Sequence, residues 1–114
     1  MTAPPEIVDS HCHLDFPDFD TELPEVIARA RAAGVTRMVT ICTKLVNLPK
    51  VQAIVAAHEG IFYAAGIHPM SVADQPPVTV EQLVALARDP NMVGIGETGL
   101  DYYYDHSDRQ QQQT

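Results

Sequence analysis

The sequence has few basic residues, few cysteines and no tryptophan. Lysine and arginine number 7 against 15 aspartates and glutamates in 114 residues, which gives a formal net charge of −8. Because broad electrostatic binding of nucleic acid relies on clustered Lys and Arg, this balance argues against a non-catalytic nucleic-acid-binding module. A phosphate-bearing substrate is still compatible with it, since bound metal ions supply positive charge locally.

Long apolar runs and cysteine motifs are also missing. The two cysteines, Cys12 and Cys42, do not stand in a CxxC or other repeated spacing. All apolar runs are far shorter than the ~20 residues that a membrane-spanning helix needs, and we expect no signal peptide. These features predict a cytoplasmic protein with free thiols and no membrane contact. A disulfide between Cys12 and Cys42 is the less favoured alternative.

Short apolar segments alternate with helical patterns along a chain of ordinary globular composition. Strands are predicted at residues 7–9, 38–41, 61–65 and 92–96, and helices at 21–33, 48–58 and 80–87. Such short, apolar strands joined by helices are typical of an α/β fold with a parallel sheet buried on both faces. An open doubly wound sheet is the alternative topology, although the sequence has no GxGxxG or P-loop to support nucleotide binding there.

Polar residues follow three of these strands at the point where each strand ends. His11 and His13 follow the first strand, His68 the third and Glu97 the fourth. Chemistry collects at the carboxyl ends of the strands in parallel α/β folds, so these residues are expected to converge. His11 and His13 are two residues apart and project from one face of a strand, while Cys12 points the other way. Two imidazoles and a carboxylate at one rim predict a metal site, with unrelated loop histidines and a solvated glutamate as the alternatives.

Other residues near these strand ends are weaker candidates. His68 is predicted to touch substrate or to support a metal ligand, and an ordinary structural histidine is the alternative. Asp101 is expected either to orient a ligand or water, or to cap the next helix. The tyrosines at 102–104 suit stacking against nucleic acid bases. Packing is the more common role of such a cluster, and it is the role we expect for them.

Three phrases of the sequence together resemble those of TatD-type metal-dependent deoxyribonucleases: DSHCHLD at 9–15, GIHP at 66–69 and GETGLDY at 96–102. The resemblance implies a TIM-type (β/α)8 barrel, two divalent metal ions (Zn, Mg or Mn) and hydrolysis of phosphodiester bonds in DNA by a metal-activated water. By residue matching, His11 and His13 hold one metal, and Glu97 is the catalytic residue that bridges to the second.

The length of the chain departs from this family. A TIM barrel needs about 250 residues, and members of the family add two histidines and an aspartate from four later strands. We therefore expect residues 1–114 to be the amino-terminal half of a hydrolase barrel, covering about the first four βα units and possessing open sheet edges through which it can self-associate. The alternative enzyme is another amidohydrolase acting on amide or lactone bonds. Those enzymes commonly place a carbamylated lysine near the end of strand four, where this chain has Glu97.

Overall fold

Strands and helices alternate through residues 5–114, the part of the chain that the computed structural model describes. The strands are β1 (Ile7–Cys12), β2 (Val35–Cys42), β3 (Ile61–Ala65) and β4 (Met92–Ile95). The α-helices are α1 (Leu23–Ala32), α2 (Leu48–Ala57), α3 (Val80–Leu86) and α4 (Arg109–Gln113), and short 3-10 turns lie at Pro17–Phe19, Leu45–Asn47 and Pro69–Asp74. None of the helices in these residues has the length and apolarity that crossing a membrane requires.

The strands form one parallel sheet in the order β1-β2-β3-β4. A doubly wound sheet reverses its strand order at a switch point, whereas a barrel adds each strand beside the one before it. The observed order therefore confirms the predicted α/β class with successive βα units, as in a partial barrel, and the doubly wound alternative is wrong.

Two helices cover one face of the sheet through their apolar residues. Val51, Ile54 and Val55 of α2 are buried, as is Ile27 of α1. They pack with apolar residues of the strands, namely Met38, Cys42, Ile61, Tyr63, Ala65 and Met92. The turn from α2 into β3 requires glycine at position 60, where φ is +80° and a Cβ atom would lie 2.9 Å from the Thr36 carbonyl oxygen.

The third helix, unlike the first two, has no buried residue. Val80 and Val84 are exposed, and every residue of α3 is at least partly accessible to solvent. The reason lies in the sheet, because α3 connects to β4 and β4 forms an edge of the described sheet. A helix at such an edge has only one neighbouring strand to pack against, so its apolar stripe stays partly uncovered.

Candidate metal centre

An irregularity in β1 sets the position of His11. Between Asp9 and Cys12, β1 advances three residues while its partner β2 advances two, from Met38 to Thr40. The carboxylate of Asp9 accepts a hydrogen bond from the His11 amide at 3.1 Å inside this bulge. Bulges commonly redirect a side chain next to a functional site, and this one lies at the first predicted ligand.

The backbone of β2 orients the second histidine. Nδ1 of His13 lies 3.3 Å from the carbonyl oxygen of Ile41, and the ring stacks on Phe16 at 4.6 Å between centroids. Because a carbonyl oxygen can only accept, Nδ1 carries the hydrogen and the lone pair of Nε2 is free. This is the arrangement that metal-binding histidines ordinarily use.

The end of β4 brings Glu97 to the same place through close contact with the segment after β3. The Gly96 amide donates to Ala65 and the Gly66 amide donates to Cys42, both at 3.1 Å, so the pairing continues beyond the strands. A Cβ atom on Gly66 would lie 3.1 Å from the carbonyl carbon of Gly96, which is tighter than an ordinary contact, so glycine favours this approach.

His68 lies beside Glu97 and is held in one tautomer. Its Nδ1 accepts the Met70 amide hydrogen at 3.1 Å, which leaves the ring hydrogen on Nε2 when the imidazole is neutral. Nε2 is 3.2 Å from Oε1 of Glu97, so it donates a hydrogen bond to that oxygen. The other oxygen, Oε2, is 3.4 Å from Nε2 of His11.

The ligand atoms of His11, His13 and Glu97 all lie within 4.8 Å of one another. Two ligand atoms on a tetrahedral ion, each about 2.1 Å from it, are roughly 3.4 Å apart, which is the distance found between His11 Nε2 and Glu97 Oε2. Imidazole and carboxylate donors suit zinc, manganese and magnesium to different degrees. These residues therefore fit a divalent cation with only small side-chain movements.

The cysteines near this group remain neutral thiols. Burial, with the nearby Asp9 and Asp15 carboxylates, raises the pKa of Cys12 to about 12. Burial and Asp15 raise the pKa of Cys42 to about 11. Both cysteines are free within residues 5–114, which agrees with the predicted absence of a disulfide. The group of ligand atoms that lie together comes from His11, His13 and Glu97, so the donor set is nitrogen and oxygen.

Asp101 and the tyrosines after it lie outside this group of ligands. Oδ1 of Asp101 accepts the amide hydrogens of Tyr103 and Tyr104, each at 3.2 Å. In the described part of the chain, Oδ2 of Asp101 is buried without a hydrogen-bond partner. Tyr103 and Tyr104 are exposed, so the expectation that the tyrosine cluster packs into the fold is wrong for these two residues.

Several residues that support the ligands escaped the sequence analysis. Thr40 is fully buried, and its hydroxyl oxygen accepts the Leu14 amide hydrogen at 3.0 Å, which fixes the turn after His13. Asp15 is buried with Oδ1 unpaired among the described residues. Thr40 is the polar residue inside the apolar segment 38–41. Since buried hydroxyls are normally hydrogen-bonded, this position was the signal in the sequence that could have indicated its role.

Comparison with known proteins assigns this arrangement to a family. The family model described as TatD related DNase matches residues 8–114. The chain belongs to this family. The predicted resemblance is thereby confirmed.

The relatives bear names of two kinds. YcfH of Escherichia coli K12, named an uncharacterized metal-dependent hydrolase, is 36% identical over 110 residues, which cover 94% of this chain and 41% of YcfH. A protein of Klebsiella pneumoniae named 3'-5' ssDNA/RNA exonuclease TatD is 36% identical over 105 residues, covering 92% of this chain and 40% of its own length.

A solved structure shares the fold. YjjV, a TatD homologue from Escherichia coli K12, superposes with a TM-score of 0.81 at 34% identity, covering 93% of this chain and 42% of YjjV. The chain thus spans about two fifths of the length of the relatives that it matches.

Proposed function

We propose that this chain is the amino-terminal half of a TatD-type enzyme that hydrolyses phosphodiester bonds in DNA with divalent metal ions. The observation that carries the proposal is the convergence of His11, His13 and Glu97 within 4.8 Å at the carboxyl ends of β1 and β4. The nuclease name of the Klebsiella relative supports the choice of substrate. The free thiols of Cys12 and Cys42 support a reducing compartment such as the cytoplasm.

Each residue has a separate task in this proposal. His11 and His13 would hold one cation through their imidazole nitrogens, and the Glu97 carboxylate would bridge from it to a second. The bound cations would supply positive charge beside the phosphodiester and lower the pKa of a water. His68 fixes the Glu97 carboxylate through its Nε2 hydrogen and would also contact substrate. Asp101, whose buried Oδ2 has no hydrogen-bond partner among residues 5–114, would orient substrate or water.

Metal content tests the ligand assignment directly. We expect the purified chain to retain divalent metal after dialysis, and the double variant His11→Ala/His13→Ala to lose it. Glu97→Gln should keep one ion and lose the second, since an amide bridges poorly. His58→Ala, at the end of α2, is the matched histidine control. Elemental analysis that finds the same stoichiometry in all four proteins contradicts the assignment.

Hydrolysis tests the substrate. The chain is to be assayed on single-stranded DNA with zinc, manganese and magnesium, beside a chimera that joins it to the later part of YjjV. We expect metal-dependent cleavage by the chimera and none by its Glu97→Gln variant. A chimera that is inert on DNA but cleaves amide or lactone substrates would replace the nuclease proposal with the amidohydrolase alternative.

The edges of the sheet support a second candidate function, in which the chain pairs with another copy of itself. β1 and β4 form the two edges of the described sheet, and about half of each apolar side chain there is exposed, as seen for Ile7, Val8, Val93 and Ile95. Open parallel edges are templates for strand pairing. Sedimentation velocity over a hundredfold concentration range tests this, and a folded monomer throughout contradicts it.

A further inference from the structure

Aromatic side chains form an exposed surface just after Glu97. We call Tyr103, Tyr104 and His106 the tyrosine platform. The Tyr103 and Tyr104 rings meet edge to face at 4.8 Å between centroids, and the Tyr104 ring stacks near His106 at 6.0 Å. Tyr103 is 86% exposed and Tyr104 is 64% exposed. Single exposed aromatic residues are ordinary, but a contiguous group is a feature of interaction surfaces.

The neighbouring residue Tyr102 has a structural role in this loop. The guanidinium of Arg109 lies 4.5 Å above the Tyr102 ring, and the Tyr102 hydroxyl accepts a hydrogen bond from the Gln113 side chain at 2.6 Å. Tyr102 therefore ties α4 to the loop. The rings of Tyr103 and Tyr104 instead meet each other and are largely exposed to solvent, so they contribute little buried area to the fold.

The loop that bears the tyrosine platform is held in place at several points. Asp101 accepts the amide hydrogens of Tyr103 and Tyr104. The side-chain amide of Gln112 donates to the carbonyl oxygens of Asp101 and Ser107, each at 2.9 Å. Ser107 is buried, and its hydroxyl accepts the Ala73 amide hydrogen at 2.9 Å, in the turn that follows His68. An ordered loop binds at a lower entropic cost than a flexible one.

Acidic side chains in this loop are engaged by donors of the chain itself. Asp105 pairs with Arg109 at 3.3 Å, and Asp108 accepts the amide hydrogens of Gln110 and Gln111 at the start of α4. The basic charge of Arg109 is shared with Asp105 and the Tyr102 ring. A ligand of the tyrosine platform is therefore recognised by its aromatic faces more than by its charge.

Chain length limits how far the tyrosine platform can lie from the candidate metal centre. Tyr103 follows Glu97 by six residues. An extended chain advances at most about 3.6 Å per residue, so their Cα atoms are no more than roughly 22 Å apart. A short oligonucleotide spans that distance.

We propose that the tyrosine platform stacks the bases of a single-stranded nucleic acid whose backbone reaches the metal centre, which rests on the proposed phosphodiesterase function. Stacking on tyrosine accepts every base, since each base has a π-face. With few basic residues to release counterions, binding to this surface depends only weakly on salt.

A pair of oligonucleotides separates stacking from charge. The probes are fluorescein-labelled octathymidylate and an abasic octamer, both with phosphorothioate linkages that resist hydrolysis, titrated by fluorescence anisotropy with zinc present. We expect the wild-type chain to prefer octathymidylate. Tyr103→Ala/Tyr104→Ala should bind it about 5- to 150-fold more weakly for each base that loses its stack. Tyr103→Phe/Tyr104→Phe keeps the rings and should bind like wild type.

The outcomes distinguish this proposal from the proposed function. Two results would overturn the proposal that the tyrosine platform stacks bases. One is equal affinity of wild type for both probes, and the other is an alanine variant that binds octathymidylate as tightly as wild type. Hydrolysis by the chimera with YjjV is measured separately on bis(4-nitrophenyl) phosphate, which has no nucleobase. Base-dependent binding without any phosphodiester hydrolysis would keep the tyrosine platform and remove the enzyme. Hydrolysis with no base preference in binding would keep the enzyme and remove the tyrosine platform.

Discussion

Thr40→Val is the substitution that best tests how β2 supports the metal centre. Valine has nearly the shape of threonine, so the change removes the hydroxyl oxygen that accepts the Leu14 amide hydrogen and opens little space. Leu14 is itself buried, which leaves its amide without a partner and out of reach of water. A buried donor left unpaired costs about 1–3 kcal/mol, and we expect that loss in the free energy of unfolding.

The effect should also reach the metal ligands. Leu14 adjoins His13, whose Nδ1 is placed 3.3 Å from the Ile41 carbonyl oxygen by the same turn. Releasing the Leu14 amide frees that turn to move, so the imidazole loses its fixed position. Removing the support behind a ligand typically weakens metal affinity by about 10- to 100-fold, and we expect the lower end of that range.

Urea unfolding and zinc titration with a competing chelator measure the two effects. Thr40→Ser is the matched control, because it keeps the hydroxyl and removes a methyl group worth about 1 kcal/mol. The serine variant should therefore lose stability but keep its zinc affinity, whereas the valine variant should lose both. Equal zinc affinity in the valine and serine variants would refute the argument that this hydrogen bond positions His13.

Three further predictions follow from named contacts. Gly66→Ala places a Cβ atom 3.1 Å from Gly96, so we expect a loss of about 1–3 kcal/mol in urea unfolding together with weaker metal binding; unchanged zinc affinity contradicts this. His68→Ala should weaken metal affinity about tenfold and His68→Gln should partly restore it, because glutamine can donate to Glu97; equal titrations of the two variants contradict this. The Asn91 amide and the Tyr63 hydroxyl hold the pKa of Asp89 below its ordinary value. The ionised Asp89 carboxylate therefore contributes its full stabilisation above the unfolded-state pKa of about 3.9. This stabilisation is lost as pH falls through the lower folded-state pKa. Over that acid range the unfolding free energy of wild type should therefore fall by more than that of Asp89→Asn.

Local patterns predicted the buried elements well. The strand at 61–65 has the same bounds in sequence and structure, and α2 begins at Leu48 as expected. Both elements are surrounded by others, so burial follows the hydrophobic pattern. β1 was predicted to end at Asp9, because polar residues follow, yet pairing with β2 extends it to Cys12. Where a strand ends depends on its pairing with a neighbouring strand, and that neighbour lies far away in the sequence.

The sequence predicted which residues lie together in the candidate site, but not the contacts that hold those residues in place. Strand-end topology identified His11, His13, His68 and Glu97, because parallel strands end at one rim. The ring nitrogen that each histidine uses depends on distant partners, such as the Ile41 carbonyl oxygen for His13. Those partners belong to other strands, so they become known only once the register is known.

Side chains that reach across the end of the sheet explain how its two edges build one site. β1 and β4 are separated by two intervening strands, and three spacings of about 4.8 Å would hold them roughly 14 Å apart in a flat sheet. Yet His11 Nε2 and Glu97 Oε2 are 3.4 Å apart. The two side chains therefore reach toward each other from opposite edges across the end of the sheet, as side chains do inside a barrel. Glu97 joins the edges through His11 and the third strand through His68, which makes metal affinity a sensitive measure of how these strand ends are arranged.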